Sequence, residues 1–239
     1  MFLSGDLSLF QQKGNKMKPT HFALFLLVSC VSVCCEQGLQ KKSLIFPEET
    51  NSSYVSLHPV KPMSLTAFTL CMRLASELRN KRDTILFSYY KSGDALNLWS
   101  EPGVFTLYLL NSTPASFRVP QLSSFWTNLC VTWKSSSGLT TFWVNGRRSV
   151  RKVYRQGHQI QNGGIVILGQ DQDRWARSFD STQSFTGEIT NVHLWDYALS
   201  SDEICSASEG YTEPQGNVID WNSVEYKAEG NVLIEPIND

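Results

Sequence analysis

Chemistry-bearing side chains concentrate in one window, Gly169-Gln-Asp-Gln-Asp-Arg-Trp-Ala-Arg-Ser-Phe-Asp-Ser-Thr-Gln-Ser184. Asp171, Asp173 and Asp180 fall within ten residues, with Gln170, Gln172 and Gln183 between and after them. A hard divalent cation such as calcium takes about six to eight oxygens from carboxylates, amides and backbone carbonyls. This stretch supplies most of such a set from one place. It holds no His or Cys, which argues against zinc. Three crowded carboxylates repel one another unless a cation neutralises them, and Arg174 and Arg177 offer a second way to do so. Spacing alone leaves both readings open, a calcium loop and a solvated acidic loop paired with its own arginines; it is no EF-hand.

Signals for catalysis are weak. The chain has no nucleophile elbow, HExxH or phosphate loop. Glu188 and Asp196 are the carboxylates a glycoside hydrolase reading would use, which requires them about 5 or 6.5–9.5 Å apart. His58, His158 and His193 are scattered. We expect a binding protein rather than an enzyme.

The elements that would hold the window are strands. Short apolar or alternating runs include Ser43–Phe46, Phe68–Leu74, Thr84–Tyr89, Leu96–Trp99, Val104–Leu110, Asn128–Trp133, Thr140–Val144, Ile165–Leu168 and Ile189–Trp195. They are rich in Val, Thr and aromatic residues, which suit a pleated, half-buried surface. Asn145-Gly146 is a two-residue hairpin signal. The 169–184 window is then a long loop anchored by a strand at each end. Many short strands at this spacing argue for an antiparallel sandwich or jelly roll. One helix stands out: Ser200-Ser-Asp-Glu203 is a capping box, and Gly210 follows as a stop.

Residues 1–35 read as an upstream extension and a secretory signal peptide. Met17-Lys18 precedes an apolar run, Phe22–Cys35, closed by small residues and too short to span a bilayer comfortably. We expect no transmembrane anchor, and a single domain over 36–239. Cys71, Cys130 and Cys205 remain; in an oxidising compartment two pair and one is left over. Sequons at Asn51 and Asn111 fit glycosylation there. The net charge is −1, with no basic excess for a phosphate backbone, so nucleic acid is a poor partner.

Asn128-Leu-Cys-Val-Thr-Trp-Lys-Ser135 resembles the pentraxin signature, departing at Asn128, where the usual form has His. Ser53-Tyr-Val-Ser-Leu57, Ala67-Phe-Thr-Leu-Cys71, Phe87-Ser-Tyr89, Phe142-Trp-Val-Asn-Gly146, Ile167-Leu-Gly-Gln170 and Asn191-Val-His-Leu-Trp-Asp196 resemble pentraxin blocks in their proper order. The similarity runs from about residue 40 to 235 and points to a short pentraxin.

The resemblance implies a flattened, lectin-like all-β jelly roll with one short α-helix, assembled as a homopentamer. It implies a Cys71–Cys130 disulfide, contributing ~4 kcal/mol by loop closure. Two calcium ions per protomer are expected, held by Asp171, the Gln172 carbonyl, Asp173, Asp180 and Gln183, with Asp94 from an earlier loop. No Asn adjoins Asp94 as the family pattern asks, so one calcium is expected to bind weakly. Leu98 falls at the apolar ligand wall, and no carboxylate stands near Thr113 or Pro114 to meet a choline. Trp175 either touches ligand or packs the loop. The implied function is secreted, acute-phase pattern recognition in innate immunity. Its ligands would be phosphorylated, anionic or carbohydrate groups on microbial or damaged-cell surfaces, bound through avidity, with complement and Fc receptors as partners. A monomeric laminin-G-like adhesion module is the alternative.

Overall fold

The computed structural model describes residues 36–78, 82–209 and 214–237. The leader, its cleavage point and the Gly210 stop lie outside them. In chain order the strands begin with β1 (Glu36–Gln37), β2 (Lys42–Phe46), β3 (Tyr54–His58), β4 (Ala67–Ala75) and β5 (Thr84–Tyr90). Next come β6 (Asp94–Glu101), β7 (Val104–Tyr108), β8 (Ala115–Phe117), β9 (Thr127–Lys134) and β10 (Leu139–Val144). The last are β11 (Arg147–Val153), β12 (Ile165–Leu168), β13 (Gly187–Trp195), β14 (Glu225–Glu229) and β15 (Leu233–Pro236). One helix, α1, spans Ser201–Glu209.

Eight strands form one sheet in the order β1-β14-β3-β12-β5-β6-β7-β8, and seven form the other, β11-β10-β9-β4-β13-β2-β15. Every paired strand is antiparallel. The expected β-sandwich with one short helix is what forms. Asn145-Gly146 turns β10 into β11, with Asn145 at φ 49° and Gly146 at φ 72°. That left-handed pair is what a two-residue hairpin turn requires. Ser200 caps α1 as the sequence foretold: Glu203 N–H donates to Ser200 Oγ at 3.3 Å, and Ser200 N–H to Glu203 Oε2 at 2.7 Å.

The core lies between the sheets. Phe46, Phe68, Phe87, Trp133, Phe142 and Trp221 are fully buried there. Each such side chain contributes roughly 1.5–3 kcal/mol by leaving water. Cys71 and Cys130 stand opposite each other in the β4–β9 ladder and are disulfide-bonded. Cys205, on α1, is free, its Sγ 3.9 Å from Gly146 O.

This topology dictates where the acidic window goes. β12 lies inside the eight-stranded sheet and β13 inside the seven-stranded one. The chain between them must cross from sheet to sheet at one end of the sandwich. Gly169 opens the crossing at φ 91°, and a Cβ there would sit 2.3 Å from Phe46 Cε1, so only glycine fits.

Candidate metal-binding rim

After Gly169 the chain folds back over the outer face of β5 and β6. Ser88 and Asn97 stand opposite each other on that face and are both fully buried. Asn97 links the rim to the sheet: its Nδ2 donates to Asp171 Oδ1 at 2.9 Å, and its Oδ1 accepts from Tyr89 N–H at 3.2 Å. It also hydrogen-bonds the Asp94 carboxyl. Gln172 pins the loop. Its Nε2 reaches Ser88 O, Ser88 Oγ and Ile165 O at 3.1–3.3 Å, and its Oε1 accepts from Ala176 N–H at 3.1 Å. With the side-chain amide so committed, the backbone carbonyl is the oxygen Gln172 has to offer a metal.

Asp94, Asp171 and Asp173 share this rim. Burial pushes the Asp171 carboxyl up to about 7, the negative charges of Asp94 and Asp173 add to the shift, and the Gln172 N–H opposes it. Asp94 is raised too, first by burial and then by Asp173, with its Asn97 hydrogen bond opposing. No ion pair joins Arg174 or Arg177 to these carboxylates among the described residues. The self-neutralised loop is thereby disfavoured. One buried carboxylate, Asp171, with a half-buried and an exposed one near it and amide oxygens beside them, fits a hard cation in chemical character.

Asp180 and Gln183 form a separate arm. Asp180 caps the short 3-10 turn Ser181–Gln183, its Oδ1 accepting from Thr182 N–H at 2.9 Å and Thr182 Oγ at 2.8 Å. Those bonds, with Arg82 nearby, hold Asp180 below the usual carboxylate range. Arg82 in turn donates to Thr182 O at 2.6 Å and pairs with Glu49 at 3.5 Å. Among the described residues, no three His, Cys, Asp or Glu side chains come together closely enough to enclose an ion.

Other residues singled out in the sequence fall as follows. Trp175 is half exposed at the loop tip, between exposed Arg174 and Arg177. Leu98 is a correction. It is fully buried and faces the core, in register with Phe87 and Leu107, so it forms no surface wall. Asn51 and Asn111 are both exposed. Asn111 does more than carry a sequon. Its Oδ1 accepts the Asp94 N–H at 2.7 Å, and its own N–H donates to Asp94 O at 3.3 Å, a two-point clamp on the Asp94 turn. Sequence reasoning missed both asparagines that steady Asp94, since neither adjoins it. Glu188 and Asp196 stand eight residues apart along β13 and its end, roughly 26 Å at strand rise, far beyond a glycosidase pair. His193 is buried, and its Nδ1 accepts from Gly216 N–H and Trp221 N–H at 3.3 Å.

Fold and rim together define a lectin-like β-sandwich whose cross-over loop gathers acidic oxygens at one end. The model of the pentaxin (pentraxin) family matches residues 42–236. A C-reactive protein of Danio rerio is 48% identical over 222 residues, covering 90% of this chain and 99% of its own length. The Homo sapiens C-reactive protein is 33% identical over 216 residues (89% and 96%), and the serum amyloid P-component of Rattus norvegicus 35% over 202 residues (84% and 88%). A heptameric SAP-like pentraxin from Limulus polyphemus shares the fold, with TM-score 0.75 at 22% identity over 84% of this chain and 97% of that one. The chain belongs to the pentraxin family, as its signature-like blocks suggested.

Proposed function

We propose that this chain is a secreted, calcium-dependent recognition protein of innate immunity, a binding module without catalytic chemistry. One observation carries the reading: Asn97 hydrogen-bonds both Asp94 and Asp171 at the sandwich rim, Asp173 lies near enough to raise both carboxyls, and among the described residues no arginine pairs with them. Asp94, Asp171, Asp173 and the Gln172 carbonyl would hold one calcium. Asp180 and Gln183, on the adjoining arm, would complete a second and looser site. Bound calcium supplies open coordination positions for an oxyanion or for sugar hydroxyls. Trp175, half exposed on the same loop, would touch such a ligand.

The ligand class is phosphorylated, anionic or carbohydrate surface groups on microbes or damaged cells. The chain's own residues position the rim: Asn97 and Gln172 fix the loop to the sheet, and Asn111 fixes the Asp94 turn. A closed ring of copies, five in our reading, turns modest single-site affinity into strong binding to a patterned surface. Complement and Fc receptors are the proposed partners of the ring. Among the described residues no helix is long and apolar enough to cross a membrane.

The test is calorimetric titration of calcium, followed by retention on phosphocholine-bearing and agarose matrices. Calcium uptake and chelator-released retention are expected. No calcium uptake at millimolar concentration overturns the proposal. A monomer by light scattering overturns the ring.

A further inference from the structure

A cavity of about 380 Å³ opens beside the β5–β6 turn, within the ~300–1,000 Å³ range of small-molecule sites. Its walls come from three segments: the turn itself (Lys91 to Gly93), Leu110, and residues 157–161. It is not the metal rim. Neither Asp171 nor Asp173 lines it, and Ala95, which does, belongs to the core cluster. Side chains alternate along a strand, so Asp94 faces away from Ala95 and the cavity.

The lining has a definite chemical character. Ala95, Leu110 and Ile160 supply an apolar floor, while Gln159, Gln161 and Ser92 supply neutral polar groups. Its ionisable groups are Lys91 and His158, and no carboxylate lines it. The Lys91 ammonium meets a neutral amide, Gln161 Oε1, at 3.3 Å. His158 Nδ1 lies 3.3 Å from Arg155 Nη2, which can only donate, so Nε2 carries the imidazole proton. The His158 ring also packs on Trp133, with centroids 6.3 Å apart.

Between Glu101 and Asp171 the chain has no acidic residue and seven lysines and arginines, although its net charge is −1. Two of the three cavity walls come from that stretch. The walls are also held in place: Asn111 clamps the turn, and Tyr89 Oη bridges Gln161 O at 2.8 Å and Gly164 N–H at 3.0 Å.

We propose that this cavity is a metal-independent binding site for a carboxylated monosaccharide unit, its carboxylate on Lys91 and its hydroxyls on His158 and the glutamine amides. A single ammonium with scattered neutral groups suits one carboxylate among hydroxyls. A phosphate or sulfate site would call for more than one cation or a guanidinium fork.

The experiment is calorimetry of the full chain in excess EGTA with galacturonate, galactose and galactose 6-sulfate. Galacturonate is expected to bind saturably and at least tenfold tighter than galactose. Lys91→Gln should weaken it about tenfold, Lys91→Arg should restore it, and Asp171→Asn should leave it within twofold. Circular dichroism checks that each variant folds. Absence of saturable galacturonate binding in EGTA, equal affinity for galactose, or an unchanged Lys91→Gln variant overturns the proposal. Tighter binding of galactose 6-sulfate overturns the carboxylate assignment. Because every arm is metal-free, the outcome is independent of the calcium reading.

Discussion

Replacing Asp171 by Asn should make the metal-free protein more stable while abolishing its response to calcium. Asn keeps an oxygen to accept from Asn97 Nδ2 and removes the buried charge. In the fold Asp171 ionises at about 7 rather than 3.8, because burial and the neighbouring aspartates oppose its charge. Between those values the unfolded chain has released a proton that the folded chain still holds. Stability therefore falls as pH rises from 3.8 towards 7. The shift of about 3 pH units amounts to about 4 kcal/mol, fully expressed by pH 8. Asp171→Asn should regain up to that amount at pH 8 in EGTA, and less than half of it at pH 5. Calcium at about a hundredfold its Kd should stabilise the parent by about 2.7 kcal/mol and the variant hardly at all. Urea unfolding at fixed protein concentration, with and without calcium at both pH values, measures all four quantities. A variant no more stable than the parent in EGTA at pH 8 would refute the like-charge reasoning.

Asn97→Ala leaves Tyr89 N–H and the buried Asp171 carboxyl each short of a partner, so it should cost about 1–3 kcal/mol in urea and weaken calcium binding at least tenfold by calorimetry. Leu98→Ala should cost about 2–5 kcal/mol as a core truncation, with chelator-released retention on resin unchanged per folded molecule. Burial lowers His193 from 6.5 to about 4, and nearby Asp220 only partly offsets it. The unfolded chain takes up that proton first, so this contribution is whole above pH 6.5 and falls by about 3 kcal/mol as pH drops to 4. His193→Gln should flatten the urea midpoint over that window.

The sandwich was legible because β4, β9 and β13 carry long apolar runs and the Asn145-Gly146 turn has few alternatives. β14 and β15 escaped notice because they lie at or near sheet edges and are largely polar; in Glu225–Glu229 only Tyr226 is buried. The rim loop announced itself through its aspartates. Its supports did not. Asn97 sits within a run that reads as apolar, Ala-Leu-Asn-Leu-Trp, and its partner Asp171 is 74 residues away. Leu98 was misplaced because a resemblance carries over a position without saying which face of the strand it occupies, and here that face is the core. Asn111 was seen only as a sequon, since its clamp on Asp94 spans 17 residues across two strands, β6 and β7.

The Cys71–Cys130 bond joins two adjacent strands in the middle of one sheet, yet encloses in sequence the whole β5–β8 wall of the other. A protease that nicks the backbone anywhere between those cysteines would leave two pieces still tied at their mutual register. The cut molecule should migrate as one species until a reductant is added, and β4 and β9 should stay aligned through the damage.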